Sequence, residues 1–482
     1  MYKHGIYFSE IPTSIVPPSR TSAGLPVVVG TAPINLATNG YKVNEPVLCY
    51  TYDEAVANFG FVKDYENYTL CEFIRSHFTL YSVAPVVLIN VLDPSIHKTD
   101  VTSESLSLIA DIGLINATGI LKETVVVKSD DETTTYQEGI DYTLAFNDDG
   151  KLVLTRKKDG TIPQGTITLK VSYTKLDPSK VTSNDIIGGI DITTGKAKGF
   201  ELVNQVFPKF GLVPGLLLAP YWSTKPEVAA VMDAKAQNIN GHFKALALVD
   251  IPTDVVKKYS DVPAWKNSNN YTSKYQVSCW PMIKLGDEIF HLSTHIAGVI
   301  CGTDANNEDI PYMSPSNHNL KASAAVLKDG EEIFLGPDQA AYLNGEGIVT
   351  AINIAGGWKV WGNRTGCYPT ITDPKDSFIP IRRMTNWIGN VLTLTFWQKI
   401  DYPINRRLIE TIVDSANIWF NGLVARQFIL GGKVVLLKEE NPETDLMDGI
   451  IKFHVYFASP SPAREIDFIL EYDVKYLENL FA

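Results

Sequence analysis

The 482-residue sequence predicts a mixed α/β (α+β) multidomain protein: an α/β body, a small all-β domain inserted into it, and extended strand arms at both ends. Three observations carry this expectation. Short apolar runs alternate with amphipathic stretches from residue 26 to about 252. Closely spaced β-type runs interrupt that alternation between 119 and 177, and proline-rich or period-2 segments occupy the two ends.

In order, PVVVGTA (26–32) reads as a buried strand, and TYDEAVANFG (51–60) opens a helix with Thr51 and Glu54 spaced as a capping box. TLCEFIRSHFTLY (69–81) repeats the device with Thr69 and Glu72, and PVVLINVL (85–92) completes a β-α-β succession. After the interruption come a helix near 196–207, the strand GLLLAP (215–220), a helix from Lys225 to about Ile239 with Thr224 and Glu227 as cap residues, and the strand ALALVDIP (245–252). This succession predicts a parallel or mixed sheet flanked by helices.

Within the interruption, TVVVKS, DYTLAF, KLVLTR and TITLKVSYT are short strands separated by turns at Asn147-Asp148-Asp149-Gly150 and Asp159-Gly160. Ile167, Leu169, Val171 and Tyr173 alternate with polar residues, as in a half-buried strand. Further on, two long helical patterns (about 384–399 and 404–424) precede strands at 434–437 and 450–458. In the second, Ile404, Leu408, Ile412, Ala416, Trp419 and Leu423 share one face.

The ends read as arms. An apolar stretch, Ile6, Tyr7 and Phe8, is held apart from Val27–Val29 by Pro12, Pro17 and Pro18, which keep the chain extended. At the other end Ile466, Phe468, Leu470 and Tyr472 alternate with Asp467, Glu471 and Asp473. Strands without a partner in their own chain invite pairing with another subunit's sheet edge. The expected units are an N-terminal arm (1–25), the body (26–118 plus 178–355), the inserted β domain (119–177), a C-terminal domain (356–465) and a C-terminal arm (466–482).

A formal charge of −12 argues against direct nucleic-acid coating, which needs clustered Lys and Arg. The five cysteines have neither disulfide-framework nor zinc spacing, and no apolar run is long enough for membrane insertion, so assembly in the cytoplasm is expected. His291 and His295 stand at i, i+4 but lack the glutamate of a metalloprotease helix, so no metal is expected. Gly345 and Gly347 lack the spacing of a phosphate loop, and Asp130-Asp131-Glu132 reads as a loop. No catalytic residue or cofactor is predicted. The segment 347–365, with Trp358, Trp361 and Arg364 among glycines, reads as a buried corner between two domains, in which guanidinium and indole can stack or satisfy nearby carbonyls.

At these residues the chain resembles the tail sheath proteins of contractile phages and of R-type bacteriocins. Trp361, Gly362, Asn363, Arg364 and Thr365 match the W-G-x-R-T signature, preceded by LNGEGIVTAIN (343–353). The opening HGIYFSEIP, VGTAP (29–33), YTYDEAVANFG (50–60), LLAPYWS (217–223) and the later Arg382-Arg383 follow the same order, whereas GCYPTITDPKDSF (366–378) departs from the usual continuation. The resemblance implies a multidomain sheath fold, a structural role without catalysis, and helical self-assembly around a tail tube protein. It also implies contacts with baseplate and tail-terminator proteins, arms that add strands to neighbouring copies, and a place in a virion tail or released bacteriocin particle. It places a tube contact on a C-terminal helix, where Arg406 and Arg407 would face an acidic tube. An α/β enzyme of unidentified activity and a surface-layer-type structural protein are the alternatives.

Overall fold

The computed structural model describes residues 23–481. The predicted arm residues Ile6, Tyr7 and Phe8 lie outside the described residues. At the centre stands an eight-stranded sheet in the spatial order Val47–Cys49, Val86–Asn90, Pro26–Gly30, Leu216–Leu218, Leu246–Asp250, Gln276–Cys279, Ile348–Ile354, Gly357–Trp361. The six inner strands are parallel and the two outermost antiparallel. Helices cover both faces, which is why the inner strands are continuous apolar runs: Val27–Val29, Val86–Ile89 and Leu216–Leu218 are fully buried.

The helices depart from the expected capping in two places. Thr51 does cap Tyr52–Phe59, accepting from the Glu54 amide. In the helix Thr69–Ile74, however, Tyr68 is the cap residue, and Glu72 turns inward to a buried partner described below. The helix Pro226–Gln237 starts on its proline, a residue pre-organised for a first turn, while Thr224 bonds back to the Tyr221 carbonyl.

The inserted domain begins at Lys98, not at 119. The strand Lys98–Leu108 pairs along its length with Ile167–Leu176, and Ile112–Thr118 pairs with Lys151–Arg156. Two small sheets enclose a separate core built from Leu106, Ile115, Val127, Leu144, Leu154, Leu169 and Val171. The domain is rooted past the carboxyl end of Val86–Asn90, where the Asp177 amide donates to the His97 carbonyl.

The C-terminal domain starts later than 356, because Gly357–Trp361 closes the main sheet as a hairpin strand against Ile348–Ile354. Its long helices are Ile379–Phe396 and Arg406–Ala425, and its hairpin pairs Gly431–Val435 with His454–Ala458. Met384, Trp387, Ile388, Ala416, Phe420, Leu423 and Val434 form its core. The sheet approaches so closely that a Cβ at Gly432 would lie 2.4 Å from the Phe420 ring. The helix Ile379–Phe396 is fastened across the amino ends of the parallel strands. Asn386 donates to the Ala245 carbonyl at 3.0 Å, and Asn390 exchanges two bonds with the Lys244 backbone. The inserted domain and the C-terminal domain therefore occupy opposite ends of the same sheet.

Candidate functional site: the C-terminal domain, its joint and its tail

The W-G-N-R-T element is the joint between the main sheet and the C-terminal domain. Trp361 ends the sheet strand, and Gly362 takes φ 132° in a space where a Cβ would meet the Asn344 side chain and the Ile348 carbonyl. From there the chain is sewn to the turn before the C-terminal helix. The Thr365 amide donates to the Ser377 carbonyl (2.9 Å), the Thr365 hydroxyl to the Asp376 carbonyl (2.7 Å), and the Ile379 amide to the Asn363 carbonyl (2.9 Å).

Arg364 sits between two rings, its guanidinium carbon 3.6 Å from the Phe378 centroid and 4.3 Å from that of Tyr368, and Nη1 donates to Ser377 Oγ at 2.8 Å. Thus Arg364 stacks on Phe378 and Tyr368 rather than on the tryptophan indoles beside it. Burial, partly offset by Tyr368, holds its pKa below the usual arginine value. Arg382 adds a second fastening, with Nη1 3.0 Å from Asp376.

Beyond the joint, the two-stranded hairpin offers an open edge. On the Gly431–Val435 side, the Asn417 side chain takes the Val434 amide at 2.7 Å and donates to its carbonyl at 3.0 Å. His454–Ala458 has no second strand neighbour among the described residues. The chain then runs from 459 to 473 without helix or strand. Ile466 (71% exposed), Phe468 (86%), Leu470 (94%) and Tyr472 (79%) all face solvent. The predicted terminal strand arm (466–482) therefore does not form in the single chain: 466–473 carries neither helix nor strand, and Val474–Phe481 is a 3-10 helix.

Arg406 and Arg407 lie at the start of the exposed end of Arg406–Ala425, where Asn405 caps the helix and Arg406 pairs with Glu410 at 2.6 Å. The buried face of this helix is Ile412, Ala416, Phe420 and Leu423, while Ile404 precedes the helix and is exposed.

At the carboxyl end of the sheet a cleft of about 600 Å³ opens beside Tyr221, the position where doubly wound sheets bind ligands. Several charged side chains in and around it are paired: His291 with Glu72 (2.8 Å), Arg75 and Tyr65 with Glu288, and Lys328 with Glu66. The two histidines of HLSTH go to separate partners, His291 to Glu72 and His295 Nδ1 to the Tyr81 hydroxyl (2.9 Å). Among the described residues no group of three or more His, Cys, Asp or Glu side chains could hold a metal ion. Sequence reasoning missed the Glu72–His291 pairing, for which two residues 219 apart leave no local signal.

No family model matches the chain. It is 28% identical over 490 residues to the tail sheath protein of Burkholderia phage BcepMu, covering 99% of this chain and 98% of that one. Among solved structures it superposes on the contracted sheath of the PVC extracellular contractile injection system with a TM-score of 0.58, at 13% identity and 99% coverage of both chains. The contracted helical sheath of the anti-feeding prophage gives 0.57 at 13% identity, covering 97% of this chain and 99% of that one. The chain is therefore a homologue of a phage tail sheath protein along its whole length, and it folds as the subunits of contractile sheaths fold.

Proposed function

We infer that this protein is a structural subunit of a contractile tail sheath: copies polymerise helically around an inner tube, and the sheath shortens to drive the tube through a bacterial envelope. The observation that carries the reading is the exposed apolar C-terminal segment beside a hairpin with an open edge. A soluble chain that leaves Phe468, Ile469, Leu470 and Tyr472 in water gains by burying them, roughly 1.5–3 kcal/mol for each large side chain. Each ladder bond made with a neighbour adds about 0.5–1.5 kcal/mol net.

Fifteen residues, 459–473, reach about 50 Å when fully extended, enough to arrive at an adjacent copy. In this reading Ile466, Phe468, Leu470 and Tyr472 of one copy, and Ile6, Tyr7 and Phe8 of another, extend the C-terminal hairpin of a third. Strand pairing of this kind keeps copies connected while rigid bodies turn. The fold suits the task, because the assembling domain and the inserted domain sit at opposite ends of one rigid sheet.

Arg406 and Arg407 would face the tube, since they stand exposed at one end of the C-terminal domain's long helix. Baseplate and tail-terminator proteins would bound the polymer, and assembly would take place in the bacterial cytoplasm before the particle is released. The role is mechanical rather than catalytic.

Co-expression with an inner-tube protein and negative-stain microscopy test this. Hollow helical cylinders are expected for the full chain, and monomers for a chain lacking residues 466–482. Cylinders of ordinary length from the truncated chain would refute the role given to the tail.

A further inference from the structure

The root of the N-terminal segment, Ala23–Gly24, passes through a tight seam between the body and the C-terminal domain. Arg383, on the helix Ile379–Phe396, places Nη1 2.9 Å and Nη2 2.5 Å from the two carboxylate oxygens of Asp304, at the end of the helix Leu292–Ala305. Both side chains are 3% exposed. The same Nη2 donates to the Ala23 carbonyl at 3.2 Å, and Cys301 Sγ donates to the Gly24 carbonyl at 3.0 Å.

Glycines make the passage possible. A Cβ at Gly24 would lie 3.0 Å from Asp304 Oδ2, and one at Gly215 would lie 1.9 Å from the Ala23 carbonyl oxygen. The Gly215 amide itself donates to the Leu25 carbonyl at 2.9 Å. Three distant parts of the chain therefore meet at one guanidinium.

We propose that Arg383, held by Asp304, is a positioning residue that anchors the root of the N-terminal arm to the C-terminal domain, so that a pull on the arm is borne by that domain's helix as well as by strand Pro26–Gly30. A buried bidentate ion pair stores little net stability against an apolar replacement, yet removing one member leaves a buried charge, so its geometry is stiffly enforced. Placing the arm's root on the domain that receives arms makes each copy's giving and receiving ends one rigid unit. The anchor rests on the sheath reading, and the test separates the two.

Amide hydrogen exchange is measured on the full chain and on Arg383→Lys and Gly24→Ala, followed by negative-stain microscopy of sheaths formed with tube protein before and after contraction. Lysine keeps the charge opposite Asp304 but lacks the fork that also reaches Ala23. Gly24→Ala keeps both charged groups and crowds Asp304 Oδ2, which its Cβ would approach to 3.0 Å. In both variants, exchange across 23–27 accelerates at least tenfold while Leu246–Asp250 stays at the wild-type rate, and contracted sheaths break into pieces several-fold shorter.

Unchanged exchange at 23–27, or contracted sheaths of wild-type length, would overturn the anchor. Should Arg383→Lys fail to fold, Gly24→Ala decides by the same readouts. A wild-type chain that forms no sheath would defeat the sheath reading, and the exchange result would still decide the anchor.

Discussion

His291 Nδ1 lies 2.8 Å from a carboxylate oxygen of Glu72, and the other Glu72 oxygen receives the His291 amide at 2.5 Å and the Thr294 hydroxyl at 3.2 Å. One buried carboxylate thus holds the first turn of Leu292–Ala305, where its charge also suits the helix dipole. Burial works against a charge on His291, but Glu72 and then Asp250 outweigh it and raise its pKa to about 9.

The folded pKa lies above the unfolded value near 6.5, so the pair's contribution is complete below that pH and is lost as pH rises toward about 9. The change is on the order of 2–3 kcal/mol. Denaturant midpoints should fall between pH 6.5 and 9. Glu72→Gln should lower stability by about 3 kcal/mol at pH 7 and flatten that slope. A Glu72→Gln midpoint equal to wild type at pH 7 would refute the assignment.

His77 and His295 respond in the opposite direction. Burial lowers both to about 3, and His77 stacks on Phe73 with ring centroids 4.8 Å apart. With folded values below the unfolded one, each costs stability as pH falls below 6.5, about 2 kcal/mol apiece at pH 5. Thermal melts of His77→Phe at pH 7 and 5 should show roughly half the wild-type acid loss from this pair. An identical loss in the variant would contradict the account.

Gly432 is required by the Phe420 ring beneath it. Gly432→Ala forces the hairpin off Arg406–Ala425 and should cost about 1–3 kcal/mol, since added methyl groups in packed cores strain their surroundings. The effect should appear in the near-ultraviolet circular dichroism of the C-terminal domain, and a variant as stable as wild type would show that the hairpin is not held there.

Arg364 is expected not to tolerate lysine. Arg364→Lys keeps the charge but loses planar stacking on Phe378 and Tyr368, a loss of about 1–2 kcal/mol. Limited proteolysis within 366–378 should accelerate in this variant; unchanged cleavage would show that the stacking does not hold the joint.

The body was legible in the sequence because its inner strands are buried on both faces and so appear as unbroken runs such as Val27–Val29 and Leu246–Val249. The periodicity of 404–424 likewise located Arg406–Ala425 to within two residues. The start of the inserted domain was hidden, because in KTDVTSESLSL only Leu106 and Leu108 are buried and the remainder reads as a polar loop. Long-range polar pairings such as Asp304 with Arg383 leave no mark on local spacing. At the joint, the W-G-N-R-T residues could be found by pattern, but Arg364 turned to Phe378 and Tyr368, which lie in the stretch that departs from the pattern.

The tail poses a different problem. Its alternation reads as a strand, yet in the single chain 466–473 forms no strand and Ile466, Phe468, Ile469, Leu470 and Tyr472 are all exposed.

Electron cryomicroscopy of the assembled polymer, resolving where residues 466–472 run, tests the central claim most directly. The account predicts continuous density in which these residues pair as a strand in the C-terminal hairpin sheet of an adjacent copy. Density that returns the segment to its own body, with no neighbouring copy engaged, would contradict it.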